Sequence, residues 1–323
     1  MSTTTTSPDP YEAPDPAAVP LAQRLPPDAW DAHMHVLDPL RFPPQPTALY
    51  RPAAAPVARA AAFEQAVLGG IRHVAVVQPS IHGTDNGCVL DALRAWPGAT
   101  GGGRAVGVVV LDPDVDDDPA TLRAWHALGV RGVRLNLQSV GAGADGALEG
   151  LERALRTVAA RVRGLGWAVQ VYVPLGLVTA LEGVVPQLGV RAFVIDHMGH
   201  PTLPDGASGE GYDPYALPGF AALVRLLQGT ETMTFVKLSA PYRISRRRGE
   251  PGGLAFDHVD PVVKELLRVA GRSRVVFASD FPHTRFEGLD IRPWVHKVLD
   301  FCGHDGDLVE SLFRDNARLL WGV

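Results

Sequence analysis

The sequence predicts a (β/α)8 barrel, an α/β fold of the TIM-barrel type. Three observations carry this expectation. Eight short apolar runs alternate with eight helix-length segments, which is the count of a closed barrel. The runs are β-branched and apolar on both faces, as suits parallel strands covered on both sides. No GxGxxG or Walker sequence follows any run, whereas a doubly wound open sheet often carries a Gly-rich phosphate loop after its first strand. The length of 323 residues agrees with one barrel, usually about 250 residues or more with insertions.

Taken in order, residues 1–28 are rich in Thr, Pro, Asp and Ala and lack apolar periodicity, so they read as a disordered or loosely packed arm. A single barrel domain is expected over 29–323. Its strands are predicted at 29–36, 73–79, 105–111, 132–136, 168–173, 192–197, 234–239 and 275–281. The helices between them are predicted at 57–69, 86–96, 119–128, 148–164, 176–188, 216–228 and 258–270, with 305–320 as the eighth. Asp85 or Asn86 stands where the N-cap of the helix predicted at 86–96 belongs. Gly101-Gly102-Gly103 precedes a strand and reads as a turn. Arg246-Arg247-Arg248 sits among Gly and Pro residues and reads as a solvated loop, with attraction of an anionic substrate as the alternative.

Composition narrows the function. Hydrophobic residues make up 46% and charged residues 20%, and mean hydropathy is +0.05, a composition with ample material for a large core. A net charge of −5 forces no basic face, which argues against nucleic acid as a partner. Two cysteines, Cys88 and Cys302, cannot form a disulfide framework, so a reducing compartment fits. The N-terminus has no charged segment followed by an apolar one, and no stretch of about 18 apolar residues exists. A cytoplasmic protein that does not engage a membrane is expected; a homo-oligomer stays open.

Active sites of such barrels lie at the C-terminal ends of the strands. Strand one ends in His33-Met34-His35, and alternation sends residues i and i+2 to the same side. Strand six ends in Asp196-His197, and strand eight in Ser279-Asp280. Three imidazoles and one carboxylate thus converge from three strands. His33, His35, His197 and Asp280 make a plausible site for Zn²⁺ or another divalent ion, with room for a water. Four ionisable groups in one low-dielectric mouth are costly unless used. No other carboxylate is expected inside the mouth: Asp31 should point away from the HxH, and Asp196 has the opposite parity to His197.

Six motifs then resemble the amidohydrolase-2 lactonase branch of the amidohydrolase superfamily. They are Asp31-Ala32-His33-Met34-His35, Gln78-Pro79-Ser80-Ile81-His82-Gly83-Thr84-Asp85-Asn86, Arg131-Gly132-Val133-Arg134-Leu135-Asn136, Asp196-His197-Met198-Gly199, Lys237-Leu238-Ser239-Ala240-Pro241-Tyr242-Arg243 and Ser279-Asp280-Phe281-Pro282-His283. The resemblance spans roughly residues 29–320. It implies a hydrolase that opens a lactone, with Asp280 as general base and His33, His35 and His197 holding a metal or polarising the carbonyl themselves. Family members differ on whether a metal is needed. Strand four ends in Arg134-Leu135-Asn136, and strand five offers Gln170 and Tyr172 rather than a His. At most one divalent metal is therefore expected, with Zn²⁺ the first choice.

Tyr50 resembles a family tyrosine that reaches the substrate. Ser80 and His82 end strand two. Arg134 and Arg243 could bind a carboxylate or sulfonate, or form salt bridges in the rim. Tyr172 lines the pocket or merely packs, and His283 orients Asp280 or sits in the loop. Relatives that open pyrone dicarboxylates carry Arg where this chain has His200 and Val140. Two missing guanidiniums favour a less charged lactone, or one with a single anionic group. His73, His126, His258, His296 and His304 fall at strand starts or on helices, away from the mouth. Two other readings stand beside the lactonase. One is a metal-dependent decarboxylase of the same barrel family acting on an aromatic or muconic acid. The other is a non-catalytic ligand-binding barrel.

Overall fold

Eight parallel strands pair in sequence order, as the alternating runs predict. They are β1 (Trp30–Met34), β2 (His73–Val77), β3 (Arg104–Val109), β4 (Val130–Asn136), β5 (Ala168–Tyr172), β6 (Ala192–Ile195), β7 (Met233–Leu238) and β8 (Val275–Phe277). The structure is a computed structural model and describes residues 19–97, 102–137, 147–207, 211–244 and 256–323. The sheet curls into a nearly closed barrel. Beyond the end of β8, the Asp280 amide donates to the His33 carbonyl (2.8 Å) and the His35 amide donates to the Phe281 carbonyl (2.7 Å). The seam between first and last strands is thus made by the very segments that carry His33, His35 and Asp280.

Inward-facing side chains follow the period of two. Trp30, Ala75, Val106, Ala168, Ala192, Phe235, Val276 and the C-terminal Trp321 fill the N-terminal half of the interior as one apolar cluster. Towards the C-terminal ends the same inward rows turn polar, with Gln170, Asp196 and Lys237 all buried. Outside the strands lies a larger apolar cluster beneath the helices. This two-layer arrangement suits strands apolar on both faces.

The helices are α1 (Leu21–Arg24), α2 (Val57–Ala66), α3 (Gly87–Ala95), α4 (Pro119–Leu128), α5 (Ala147–Val162), α6 (Val178–Leu181), α7 (Phe220–Gln228), α8 (Pro241–Ile244), α9 (Asp260–Ala270), α10 (Arg292–Cys302), α11 (Gly306–Glu310) and α12 (Asn316–Trp321). Five differ from expectation. The helix predicted at 176–188 is a chain of short turns around α6, which Gly183, Pro186 and Gly189 punctuate. The predicted eighth helix at 305–320 is present as α11 and α12, joined by a π-turn over Ser311–Asp315. The helices α1, α8 and α10 were not expected. Asn86 does occupy the N-cap position of α3, but its amide bonds the Val110 backbone instead of capping. Both cysteines are free and buried. No helix among the described residues is long and apolar enough to cross a membrane.

The segment after Val19 is not loose. Leu21 is buried in the outer core, and Arg24 bonds His296 (2.9 Å) and Asp300 (2.6 Å) on α10. Gly69 approaches so closely that a Cβ there would meet the Ala22 amide nitrogen at 2.5 Å. Residues 1–18 of the predicted arm lie outside the described residues. A chain lacking residues 1–24 is expected to melt about 2–5 °C below one lacking residues 1–18, since it loses Leu21 burial and the Arg24 contacts. Equal melting temperatures would show that this docking contributes nothing.

Candidate active site

A β-bulge at the end of β1 sets up the site. Between Asp31 and Met34 the register with β2 slips by one residue. Ala32 therefore faces the barrel interior, and so does His33 next to it. Strict alternation would have kept Asp31 on the His33 side. The bulge lets Asp31 point out, as expected, while both imidazoles point in.

Four atoms meet at the floor of the mouth. His33 Nε2 lies 3.4 Å from His35 Nε2. Asp280 Oδ1 lies 3.5 Å from His35 Nε2, 3.7 Å from His33 Nε2 and 3.9 Å from His197 Nε2. Bonds of about 2.0–2.2 Å around a tetrahedral Zn²⁺ place ligands roughly 3.3–3.6 Å apart. The His33–His35–Asp280 triad is within a few tenths of an ångström of that, and His197 stands slightly further out. Asp280 Oδ1 is a buried oxygen with no hydrogen-bond partner, as an oxygen aimed at a cation would be. A second group, His33–Asp196–His197, is also close enough to share an ion. Asp196 Oδ1 is likewise without a hydrogen-bond partner, but Asp280 lines the cavity and Asp196 does not, and Asp196 already stands beside Arg134 and Lys237.

The far nitrogen of each imidazole is held. His35 Nδ1 lies 2.7 Å from the Val77 carbonyl and His197 Nδ1 lies 2.7 Å from Ser239 Oγ. His33 Nδ1 lies 3.3 Å from Asp196 Oδ1 and 3.2 Å from Lys237 Nζ. Donation of Nδ1–H to Val77 and Ser239 leaves the Nε2 lone pairs of His35 and His197 facing the centre, the arrangement metal-binding histidines adopt, whereas His33 Nδ1 stands between a carboxylate oxygen and an ammonium. Burial keeps His33 well below the usual imidazole range, helped by the Lys237 charge, and pushes His197 down to about 3. Both are neutral at pH 7, the form that binds metal.

Asp280 is anchored through its other oxygen. Tyr242 Oη donates to Oδ2 at 2.6 Å, and Arg243 Nε donates to it at 2.7 Å. Burial alone would raise its pKa, but Arg243 and the histidines hold it well below the usual carboxylate range. Asp280 has φ +60°, a left-handed backbone that a non-glycine residue adopts only where its surroundings enforce it.

Asp196 corrects the expectation of a single carboxylate in the mouth. It keeps the inward parity of Val194 and lies inside the barrel. There it accepts from Arg134 Nε (3.0 Å) and Gln170 Nε2 (2.9 Å), and lies 3.3 Å from Lys237 Nζ. His197 also reaches the mouth despite the opposite parity, because it and Met198 turn with φ of +50° and +55°. Burial alone would raise the Asp196 pKa, yet Lys237, His33 and Arg134 hold it well below normal. Lys237 is fully buried, donates to Gln170 Oε1 at 2.7 Å, and is pushed down to about 8 by burial despite the attraction of Asp196.

Behind β1, Asp31 fastens the seam. It accepts from the His33 amide (3.0 Å), the Ser279 amide (2.9 Å) and the Ser279 hydroxyl. Glu64 of α2, equally buried, lies near enough to feel the Asp31 charge, and neither of its carboxyl oxygens has a donor among the described residues. Two buried carboxyls this near each other do not both carry a charge cheaply, which favours a proton on one of them. Burial, then the Asp31 charge, raises the Glu64 pKa well above normal. The folded state thus holds a proton that the unfolded chain releases above about pH 4.5, so stability falls as pH rises from there. Glu64→Gln keeps an uncharged side chain there and abolishes the titration. Its melting temperature should match wild type near about pH 5 and exceed it at about pH 8; a pH-independent difference would contradict that proton.

Above the floor opens a cavity of about 180 Å³. Of the residues expected from sequence, His35, Tyr50, Ser80, Arg134, Tyr172, His197, His200, Arg243 and Asp280 line it, and His33 lies just beneath. Tyr172 Oη and His200 Nδ1 are 3.0 Å apart, and burial with the nearby Arg243 pushes His200 down to about 4. His82 does not line the cavity; it is buried and bonds the Pro43 backbone. His283 packs behind Asp280 against Phe63, Tyr242 and Phe281 and borders a separate 30 Å³ cavity. Arg246–Arg248 and Val140 lie outside the described residues. Asn136, Thr284, Arg285 and Phe286 complete the wall and were not anticipated.

An α/β barrel with three buried histidines and an ionised aspartate at the C-terminal mouth has the form of a hydrolase-type centre. The chain belongs to the amidohydrolase family, which it matches over residues 30–323. It is 30% identical over 308 residues to 2-pyrone-4,6-dicarboxylate hydrolase of Comamonas testosteroni, covering 92% of each chain. It is 29% identical over 311 residues to 4-sulfomuconolactone hydrolase of Hydrogenophaga intermedia, covering 94% of this chain and 91% of that one. A solved structure from Pseudomonas putida, described as a candidate 2-pyrone-4,6-dicarboxylic acid hydrolase, superposes with a TM-score of 0.70 at 30% identity. That match covers 92% of this chain and 98% of the other.

Proposed function

We propose that the protein opens a lactone, or a related small cyclic ester, by adding water to its carbonyl. The observation that carries this reading is the convergence of Asp280 Oδ1 on the Nε2 atoms of His33, His35 and His197, at the floor of a cavity walled by Arg134 and Arg243. The named relatives that align along the whole barrel, hydrolases of a pyrone dicarboxylate and a sulfomuconolactone, support the substrate class.

His33, His35, His197 and Asp280 fit one divalent ion, with Zn²⁺ suited to the nitrogen-rich set. Bound there, it would polarise the carbonyl and make a water more acidic. Asp280 stays charged at neutral pH, and its Oδ1 carries no competing donor. It takes a proton from the attacking water as the new C–O bond forms. When the ring C–O bond breaks, the same proton passes to the departing oxygen. Tyr242 and Arg243 fix the carboxylate through Oδ2, which keeps Oδ1 aimed at the reacting centre. Arg134 and Arg243 give the cavity its affinity for anions.

A panel of lactones and aromatic acids, assayed with metal-loaded and chelated protein, tests this reading. Ring opening of at least one lactone, reduced by chelation and restored by Zn²⁺, is expected. Turnover of an aromatic acid with release of CO₂ and no lactone opened would replace it.

A further inference from the structure

The cavity wall holds three guanidiniums in unequal settings. Arg134 gives its Nε to Asp196, and Arg243 gives its Nε to Asp280, so each inner cation has a buried carboxylate beside it. Arg285 does not. It is exposed at the outer wall, and among the described residues its guanidinium forms no ion pair. Its Cζ instead lies 4.4 Å from the centre of the Tyr50 ring. An aromatic face under a guanidinium fixes the plane of the fork and leaves its N–H edges open to an incoming anion.

The loop that carries Arg285 is built around the base. Asp280, His283 and Arg285 have φ of +60°, +60° and +70°, all left-handed without glycine. Thr284 accepts from Arg243 Nη2 at 3.1 Å. One loop therefore carries the reactive carboxylate at its inner end and the uncompensated cation at its outer end. Tyr50, the platform for that cation, comes from the loop after β1 and lies 3.3 Å from Ser80 Oγ through its hydroxyl.

We propose that Arg285 is the specificity-determining residue for an anionic substituent, gripping a carboxylate or sulfonate at the outer end of the cavity. The carbonyl of the same substrate then lies at the histidine floor. The substrate class that fits is a lactone whose anionic group stands away from the scissile carbonyl. The proposal deepens the lactone reading and rests on it for that class.

Binding of benzoate, benzenesulfonate and the neutral benzamide to the metal-loaded protein, measured by calorimetry, tests Arg285 without any bond being broken. Wild type should bind both anions more tightly than benzamide. Arg285→Gln should weaken both anions about tenfold, the size of a lost charge-assisted pair at a partly open site, and leave benzamide unchanged. Arg285→Lys should keep part of the affinity, because charge survives and the bidentate fork does not. Anion binding unchanged in Arg285→Gln, an equal loss for benzamide, or a wild type without preference for the anions overturns the proposal. Failure of the lactone reading would appear separately, as intact anion selectivity with no lactone opened.

Discussion

Asp280→Asn is expected to lower kcat by about 10²–10⁴-fold while the barrel stays folded, the usual worth of general-base catalysis. The amide keeps the size of the side chain and can still accept from Tyr242 and Arg243 through its oxygen. It cannot take a proton from water. The change also removes a charge facing three imidazoles, so bound metal should fall as well. Metal content measured in the variant separates the two losses: kcat per bound metal should still be reduced. A folded variant that retains more than about a tenth of wild-type kcat, well outside that expected loss, would remove Asp280 as the base.

Asp196→Asn should have the largest effect on stability. Asp196 is the carboxylate between two buried cations, 3.0 Å from Arg134 Nε and 3.3 Å from Lys237 Nζ. Neutralising it leaves both cations facing each other without compensation. Breaking a buried ion pair from one side typically costs about 3–5 kcal/mol. His33 also loses the acceptor that fixes its ring, which should weaken metal binding by about 10–100-fold. Adding Lys237→Met to the Asp196→Asn protein should cost less than adding it to wild type, because the lone cation is removed with it. Denaturant unfolding of the four proteins checks this. A single Asp196→Asn variant within about 1 kcal/mol of wild type would show that the network is not held by charge.

Much of this architecture was legible because it follows from periodicity and from residue type at strand ends. Eight doubly apolar runs gave the barrel, and the HxH, DH and SD endings gave the floor of the site. The rest depends on departures from regular geometry. The bulge at Ala32–His33 and the left-handed turn at His197 each change which side chains share a face, so simple parity placed Asp196 outside the mouth. Lys237 and Gln170 left a signal, a lysine and a glutamine in the middle of strands otherwise apolar, where an unpaired polar group is costly. Arg285 left none. It reaches the cavity only because the loop after Asp280 folds back with three left-handed residues, and no spacing rule predicts that. The helix at 176–188 failed for a simpler reason: two glycines and a proline outweighed its apolar pattern.

The most direct test is the fate of water oxygen. Wild-type protein is given a carboxylated lactone in H₂¹⁸O, and the product is weighed by mass spectrometry. The expected product is a ring-opened acid containing one added water, with a single ¹⁸O in the new carboxylate and no CO₂ released. A product lighter by one CO₂, or a ring-opened acid without ¹⁸O in the new carboxylate, would contradict it.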